Sequence, residues 1–381
     1  MPLRALAVVV PARAQCTRPD ATGAFVVAGS LRQEIRFTHV KSGARIAWAR
    51  SGRADPGTPV LVRAAHWMTH VEYDAQSPIF RPWLERLGRG LRLVNYDERG
   101  CGLSGPDDTP LDLAAALEEL EVVVQASAEP KVALLGISGG AATAVGYAAL
   151  HPERVSHLVL LGGYTHGLLQ RFPTAEGLAY FEAVATLMRH GWGQAGSAVQ
   201  QFFSASLIPD ATPEQRAAMN EQQRLSCDGQ RAAAIFRARS QLDVRPLLPR
   251  VRCPTLVMHC EGDAMVKIEL GRDLAAAVAG ARFEALHSRN HVPLHGEPAF
   301  ERFCEALTDF VRQRPASTDQ AFTAPERELL ALVARGLDNL QIGAHLGLAD
   351  KTVRNRLSRL YQRLGVEGRT HAVVRARDLG F

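Results

Sequence analysis

Hydrophobic and polar positions along the chain follow two periods, and the places where each holds define the elements. Residues 34–38 and 44–49 alternate at a spacing of two, with Ser42 and Gly43 between them, which predicts an antiparallel hairpin. Short apolar runs follow at 59–63, 91–96, 132–135, 155–161, 254–259 and 281–286. Runs of that length with few polar interruptions are expected of strands buried on both faces of a parallel sheet. Helical spacing occupies the intervals, around 80–87, over 111–127 and over 141–150, and a last helix is expected over 298–312. Strand and helix in alternation predict an α/β sheet with parallel central strands. Residues 165–250 break that rhythm, with helices expected at 176–189, 196–207 and 213–224 and no strand among them. An insertion of this kind is best placed as a helical lid over the strand ends, where such sheets bind ligands.

After 312 the strand signal stops. Residues 313–321 are polar and contain Pro315, as expected of a linker, and 322–381 is expected to be a small all-helical domain. Leu329, Leu330, Val333 and Leu337 have helical spacing, with Thr323 as a cap and Pro325 in the first turn. A second helix is expected over 339–346, a turn at Gly347, Leu348 and Ala349, and a third helix over 350–364. The third turns Val353, Leu357, Leu360 and Leu364 inward and carries Lys351, Arg354, Arg356, Arg359 and Arg363 on the other side, with no acid between 351 and 363. A short helix, a glycine-containing turn and a basic helix make a helix-turn-helix whose second member can enter the major groove of double-stranded DNA.

Composition changes this picture little. The 381 residues are 46% hydrophobic and 22% charged, ordinary for a globular chain with ample core. The net charge of +5 is too small to imply nucleic acid by itself, so the clustering at 351–363 carries that inference. Six scattered cysteines without paired spacing read as reduced thiols in a cytoplasmic chain, not as a disulfide frame or a zinc site. No cofactor is expected. No apolar run approaches the ~18 residues of a membrane helix, so no membrane partner is expected either. The apolar start is broken at Pro11, and residues 1–30 are expected to be a poorly ordered lead-in.

The most specific chemistry lies at 136–140, Gly-Ile-Ser-Gly-Gly, between an apolar strand and an alanine-rich helix. A serine at the tip of a sharp strand-to-helix turn has its hydroxyl exposed and its backbone strained, and the positions two before and two after it must be small. Gly136 and Gly140 occupy them, so Ser138 is the expected nucleophile. A serine needs a base, an acid to orient the base, and donors for the oxyanion. In this kind of site the order along the chain is serine, acid, histidine. Asp263 follows a strand and a glycine turn and is the expected acid, with Glu261 as the weaker substitute; His291 is favoured over His287 as the base. The oxyanion donors are expected to be the backbone N–H groups of Gly139 and of His66, in the loop after residue 63.

These residues carry two resemblances. Residues 31–312 resemble the α/β-hydrolase family through Gly136–Gly140, the run from Asp97 to Ser104, the run from Cys253 to Asp263, and Ser288 to His291. Many such hydrolases have His-Gly where this chain has Ala64-Ala65-His66-Trp67, so a differently shaped oxyanion loop is expected. On this fold dehalogenases and epoxide hydrolases use a carboxylate nucleophile, so a serine implies esters, thioesters, lactones, amides or C–C bonds. Residues 322–381 resemble the LuxR-type DNA-binding domain, through Thr323 to Glu328, Lys351 to Asn355 and Arg363 to Arg369. That resemblance implies that Lys351, Thr352, Arg354, Asn355 and Arg359 face DNA. It also implies a dimer-forming helix over 370–379, with Ala372, Val373, Ala376 and Leu379 on one side. Arg356 stands where histidine is common, which alters base preference or adds a phosphate contact. Ala349 stands where a capping serine is common, leaving Asp350 as the expected cap.

The expectation is therefore a homodimeric DNA-binding regulator whose hydrolase-fold domain binds, and hydrolyses, a small-molecule ligand. The rival is a serine hydrolase of esterase or lactonase type in which the helix-turn-helix serves for tethering or dimerisation. Fold does not separate them.

Overall fold

The computed structural model describes residues 33–381 apart from 67, 107–109, 314–321, 365, 367 and 379–380, with the side chains of 363 and 378 also left out. The expected lead-in at 1–30, most of the expected linker at 313–321, the Arg363 side chain and Leu379 thus lie outside the described residues. The chain forms two compact units, divided between Gln313 and Arg314.

In the first unit the hairpin is β1 (Gln33–His39) and β2 (Arg45–Gly52). There follow β3 (Val60–Arg63), α1 (Val71–Asp74), α2 (Phe80–Gly88), β4 (Arg92–Tyr96), α3 (Leu113–Ala126), β5 (Val132–Ile137), α4 (Gly140–Leu150) and β6 (Val155–Leu161). The interval between β6 and the next strand holds α5 (Leu168–Arg171), α6 (Ala175–Gly191), α7 (Ala198–Leu207), α8 (Pro213–Ser226) and α9 (Gly229–Gln241). The unit closes with β7 (Thr255–Cys260), α10 (Ile268–Ala276), β8 (Arg282–Leu286) and α11 (Pro298–Arg312). The sheet runs β1-β2-β4-β3-β5-β6-β7-β8, antiparallel at β1–β2 and β2–β4 and parallel from β4 onward.

Every residue of β3, β5 and β7 is buried, as both faces of the sheet are covered. One face packs on α3, α4 and α10 through Leu120, Val124, Ala144 and Leu274. The other packs on α2 and α11 through Trp83, Leu84, Phe303 and Leu307. The sheet order reverses at β3 and β5, which puts the C-terminal end of β5 at a switch point, where these sheets hold ligands.

The lid helices begin at side-chain caps. Thr174 caps α6, Thr212 and Gln215 form a capping box on α8, and Asp228 caps α9. Helices α6, α7 and α8 lie where the sequence pattern puts them. Helix α9 was not expected, because its buried positions are Ala232, Ala233, Ile235 and Ser240 and its apolar stripe is faint.

The second unit is α12 (Ala324–Ala334), α13 (Asn339–Leu346), α14 (Asp350–Leu364) and α15 (Arg369–Asp378). Thr323 and Glu326 make a capping box on α12, and Gly347 ends α13 at φ +65°. Leu329, Leu330, Ile342, Val353, Leu357 and Leu360 form its core. Two local expectations are corrected. Asp350 is the first helical residue and not the cap: the Ala349 carbonyl accepts from the N–H of Thr352 (2.8 Å) and of Val353 (3.1 Å). The small-residue face of α15 is filled from within, since Ala372 and Ala376 are fully buried in this unit's own core and Val374 is the residue left 56% exposed.

Candidate active site and nucleic-acid interface

Ser138 follows β5 with a backbone φ of +50°, one of two left-handed non-glycine residues among those described. An L-residue there is strained by about 1 kcal/mol or more, and such strain gathers at functional sites. The turn is closed by the Ser138 N–H, which donates to the Leu161 carbonyl (2.9 Å). The flanking glycines are demanded by different neighbours. A Cβ at Gly136 would stand 2.6 Å from Ala141 Cα, so strand and helix nearly touch there. A Cβ at Gly140 would meet the carbonyl oxygens of Ala65 (3.0 Å) and Ala64 (3.1 Å), so that glycine admits the loop after β3 instead of the strand.

Asp263 and His291 come together from the loops after β7 and β8. Asp263 Oδ2 is 2.6 Å from His291 Nδ1, and its Oδ1 accepts the N–H groups of Met265 (2.8 Å) and Val266 (3.0 Å). Burial pushes the Asp263 carboxyl up, but the charge of His291 and hydrogen bonds from His259 and His291 outweigh it and hold the group well below the usual carboxylate range. His259 is a second imidazole on this carboxylate that the sequence pattern did not single out. Its Nε2 is 3.4 Å from Asp263 Oδ2 and 2.7 Å from the Val266 carbonyl oxygen. Nε2 of His291 is buried without a hydrogen-bond partner among the described residues. The ring packs on Gly162, the residue after the one whose carbonyl anchors Ser138. The alternatives, His287 and Glu261, pair with each other on the surface at 3.1 Å.

The loop after β3 brings His66 to the same place. Its side chain is buried beside the ring of Phe80 (5.8 Å between centroids). Burial, then Arg63 and Arg239, keep its pKa well below the ordinary histidine value, so the ring is neutral at neutral pH. The segment from Asp97 to Ser104 is scaffold. Asp97 accepts the N–H groups of Val71 and Leu103 (both 2.9 Å), and Arg99 is buried against Glu119 (2.6 Å). Two of the three reach the lid helix α9: the Glu98 carboxylate holds Arg239 at 2.8 Å, and the Arg99 carbonyl accepts from Arg231.

A cavity of about 310 Å³ opens above Ser138 and Gly139. Tyr180, Phe202, Phe203 and Phe236 supply aromatic walls, and Tyr164, Arg171 and Arg239 supply polar ones. Of the other large lid side chains, Phe181 and Trp192 are core, while Phe172 and Leu187 face solvent.

In the second unit Lys351, Arg354, Asn355, Arg356 and Arg359 are exposed along α14 and Thr352 is half-buried. The helix thus presents one basic face and buries the other. Arg354 makes an exposed pair with Asp350 one turn back (2.5 Å).

Residues 43–306 match the alpha/beta hydrolase family. The chain belongs to that family. Residues 320–376 match the bacterial regulatory proteins of the luxR family, so the hydrolase fold is joined in one chain to a LuxR-type DNA-binding domain. A DNA-binding transcriptional activator, DevR/DosR of Mycobacterium tuberculosis, is 34% identical over 151 residues, covering 36% of this chain and 64% of that regulator. The chain therefore spans just under two thirds of that relative's length. A putative carbamate hydrolase, RutD of Klebsiella pneumoniae, is 27% identical over 237 residues, covering 60% of this chain and 82% of that protein. Among solved structures, a hydrolase from Pseudomonas aeruginosa superposes with a TM-score of 0.59 at 24% identity, over 75% of this chain and 100% of its own. An esterase from Exiguobacterium antarcticum does so with a TM-score of 0.60 at 21% identity, over 72% and 98%. Identities this low speak for the fold.

Within this α/β-hydrolase domain the sequence reading missed Glu98, Arg239, Arg171 and His259. Glu98 and His259 stood inside motifs that were singled out, one residue from Asp97 and four from Asp263. Arg171 and Arg239 sit on helices whose arginines look like any solvated helix face. Among the described residues no helix is long and apolar enough to cross a membrane, and no group of metal-binding side chains gathers.

Proposed function

We propose that the chain is a DNA-binding transcriptional regulator whose α/β-hydrolase domain binds a small molecule and hydrolyses it with Ser138, Asp263 and His291. The observation that carries this reading is the state of His291. Its Nδ1 is held by Asp263 at 2.6 Å while its Nε2 is buried without a hydrogen-bond partner among the described residues, over the backbone that anchors the strained Ser138. An imidazole held this way is oriented to take a proton through Nε2. As His291 takes its proton, the Ser138 oxygen attacks an acyl carbon and the Gly139 and His66 N–H groups receive the oxyanion. The C–O bond to the leaving alcohol breaks as His291 returns the proton to it. Water, deprotonated by His291, then cleaves the acyl-serine bond to release the acid. An ester or lactone is the substrate class that this chemistry favours.

The regulatory half rests on α14. Lys351, Thr352, Arg354, Asn355, Arg356, Arg359 and Arg363 contact DNA, and the chain acts as a homodimer, since two recognition helices on one duplex read two half-sites. Reaction of the full chain with a fluorophosphonate tests the catalytic half. Labelling at Ser138, absent in Ser138→Ala, is expected. A wild-type chain that stays unlabelled, or esterase turnover that survives Ser138→Ala, would overturn it.

A further inference from the structure

The cavity above Ser138 has two charged side chains among its described walls, Arg171 from α5 and Arg239 from α9, and no acid. Arg239 lies against the nucleophile turn: a Cβ on Gly139 would stand 2.9 Å from its Cδ and 3.2 Å from its Nη1. Glu98, outside the cavity, neutralises it through one nitrogen, and the Arg239 Nε is buried without a partner among the described residues. Arg171 has no such acid. Its guanidinium lies 5.3 Å from the centroid of the Tyr164 ring, and among the described residues its buried Nε has no hydrogen-bond partner and no carboxylate pairs with it. The Tyr164 hydroxyl in turn stands 3.3 Å from a Cβ placed on Gly139, so both guanidinium groups border one region beside Ser138.

A guanidinium against aromatic walls, short of an acid and of hydrogen-bond acceptors, is costly unless something supplies both. Cation–π contact with Tyr164 offsets part of that cost and leaves the buried Nε donor of the half-buried Arg171 unmet among the described residues. With Glu98 balancing Arg239, the cavity keeps one positive charge that no acid among the described residues compensates. A planar carboxylate answers the geometry of a guanidinium fork and makes the strong, charge-assisted kind of hydrogen bond. The volume of about 310 Å³ is at the lower end of ligand pockets, so the rest of the ligand is small and apolar. We infer that the cavity takes a small apolar molecule bearing one carboxylate, and that Arg171 is the residue that recognises it. This rests on the reading that the cavity holds a ligand. It adds the charge and size of that ligand, which neither the fold nor the serine specifies.

The test is calorimetric titration of the full chain with phenylbutyrate and with the isosteric phenylbutyramide, repeated on Arg171→Met. The acid is expected to bind about tenfold tighter than the amide in the wild type, and the preference to fall to about twofold in Arg171→Met with amide affinity unchanged. Equal binding of acid and amide by the wild type overturns the inference and leaves the ligand cavity standing. So does a full preference that survives Arg171→Met. If neither compound binds and neither slows fluorophosphonate labelling of Ser138, both the inference and the cavity reading fall. The wild-type comparison needs no variant, so a poorly folded Arg171→Met cannot rescue the idea.

Discussion

The imidazole of His291 rests on the backbone of Gly162, so closely that a methyl group there would stand 2.7 Å from Cε1 and 3.1 Å from Nδ1. Gly162 has a φ of +57° and directly follows Leu161, whose carbonyl accepts from the Ser138 N–H at 2.9 Å. The histidine and the serine are thus referred to adjacent residues at the end of β6, although 153 positions (291 − 138) separate them in sequence.

Gly162→Ala should therefore displace the His291 ring and strain the turn at once. We expect kcat/KM on a p-nitrophenyl ester to fall about a hundredfold, as a misplacement near 1 Å does. Stability should fall by roughly 1–2 kcal/mol from the left-handed backbone. Wild-type turnover in Gly162→Ala would show that His291 does not need this support.

His66 gives the fold a pH signature of known sign. Its pKa is lowered by burial, so between that value and the ~6.5 of an unfolded histidine the unfolded chain holds a proton that the folded chain lacks. Stability from this group is complete above pH ~6.5 and is lost as pH falls below it, at a slope of at most about 1.4 kcal/mol per pH unit. Urea midpoints at pH 7 and pH 5 should differ less in His66→Leu than in the wild type. His70, His157 and His166, also lowered, remain in both chains and cancel in the comparison. Equal losses in the two chains would mean that His66 takes up its proton in the folded state.

Two neighbours on α6 should separate stability from ligand binding. Phe181 is 2% exposed and stacks on Phe236 with centroids 5.0 Å apart, whereas Tyr180 is 57% exposed and lines the cavity. Phe181→Ala should cost about 3–5 kcal/mol of stability. Tyr180→Ala should leave the unfolding midpoint nearly unchanged and shift the KM of any ester substrate. A large stability loss in Tyr180→Ala would make it core as well.

What the sequence made legible was local. Strand runs, the glycines around Ser138, the cap at Thr323 and the turn at Gly347 each depend on a few neighbouring residues, and the pattern of 350–364 separates its buried and basic faces without help. What it hid was the partner of each side chain across the fold. Helical spacing marks both Tyr180 and Phe181 as apolar, and only packing sends one to the cavity and the other to the core. The same limit applies to α15, where Ala372 and Ala376 read as a free face until α12 is seen against them. Helix α9 escaped because alanine and serine bury well but weigh little in a hydrophobic pattern. Its Arg239 escaped with it.

The last expectation concerns how α14 meets DNA. Arg354 and Asn355 lie in its first half, where recognition helices touch base edges, and Arg359 lies further along, where phosphates are in reach. Arg359→Ala should weaken binding to every sequence and flatten the log–log salt dependence by about one unit. Arg354→Ala should cost roughly 1–3 kcal/mol on the selected site and little on others. The free domain adds a condition: Arg354 is paired with Asp350, both partly exposed, and must release it to reach a base. Such a surface pair is worth only about 0–1 kcal/mol, so the release is cheap. Asp350→Ala should then tighten binding severalfold on all sequences, because it frees Arg354 and removes a negative charge facing the phosphates. Footprinting and salt titration on DNA selected from a random pool read all three variants. An Arg354→Ala loss equal on every sequence would move that residue from the bases to the backbone, and weaker binding by Asp350→Ala would mean that the pair persists in the complex and positions the arginine there.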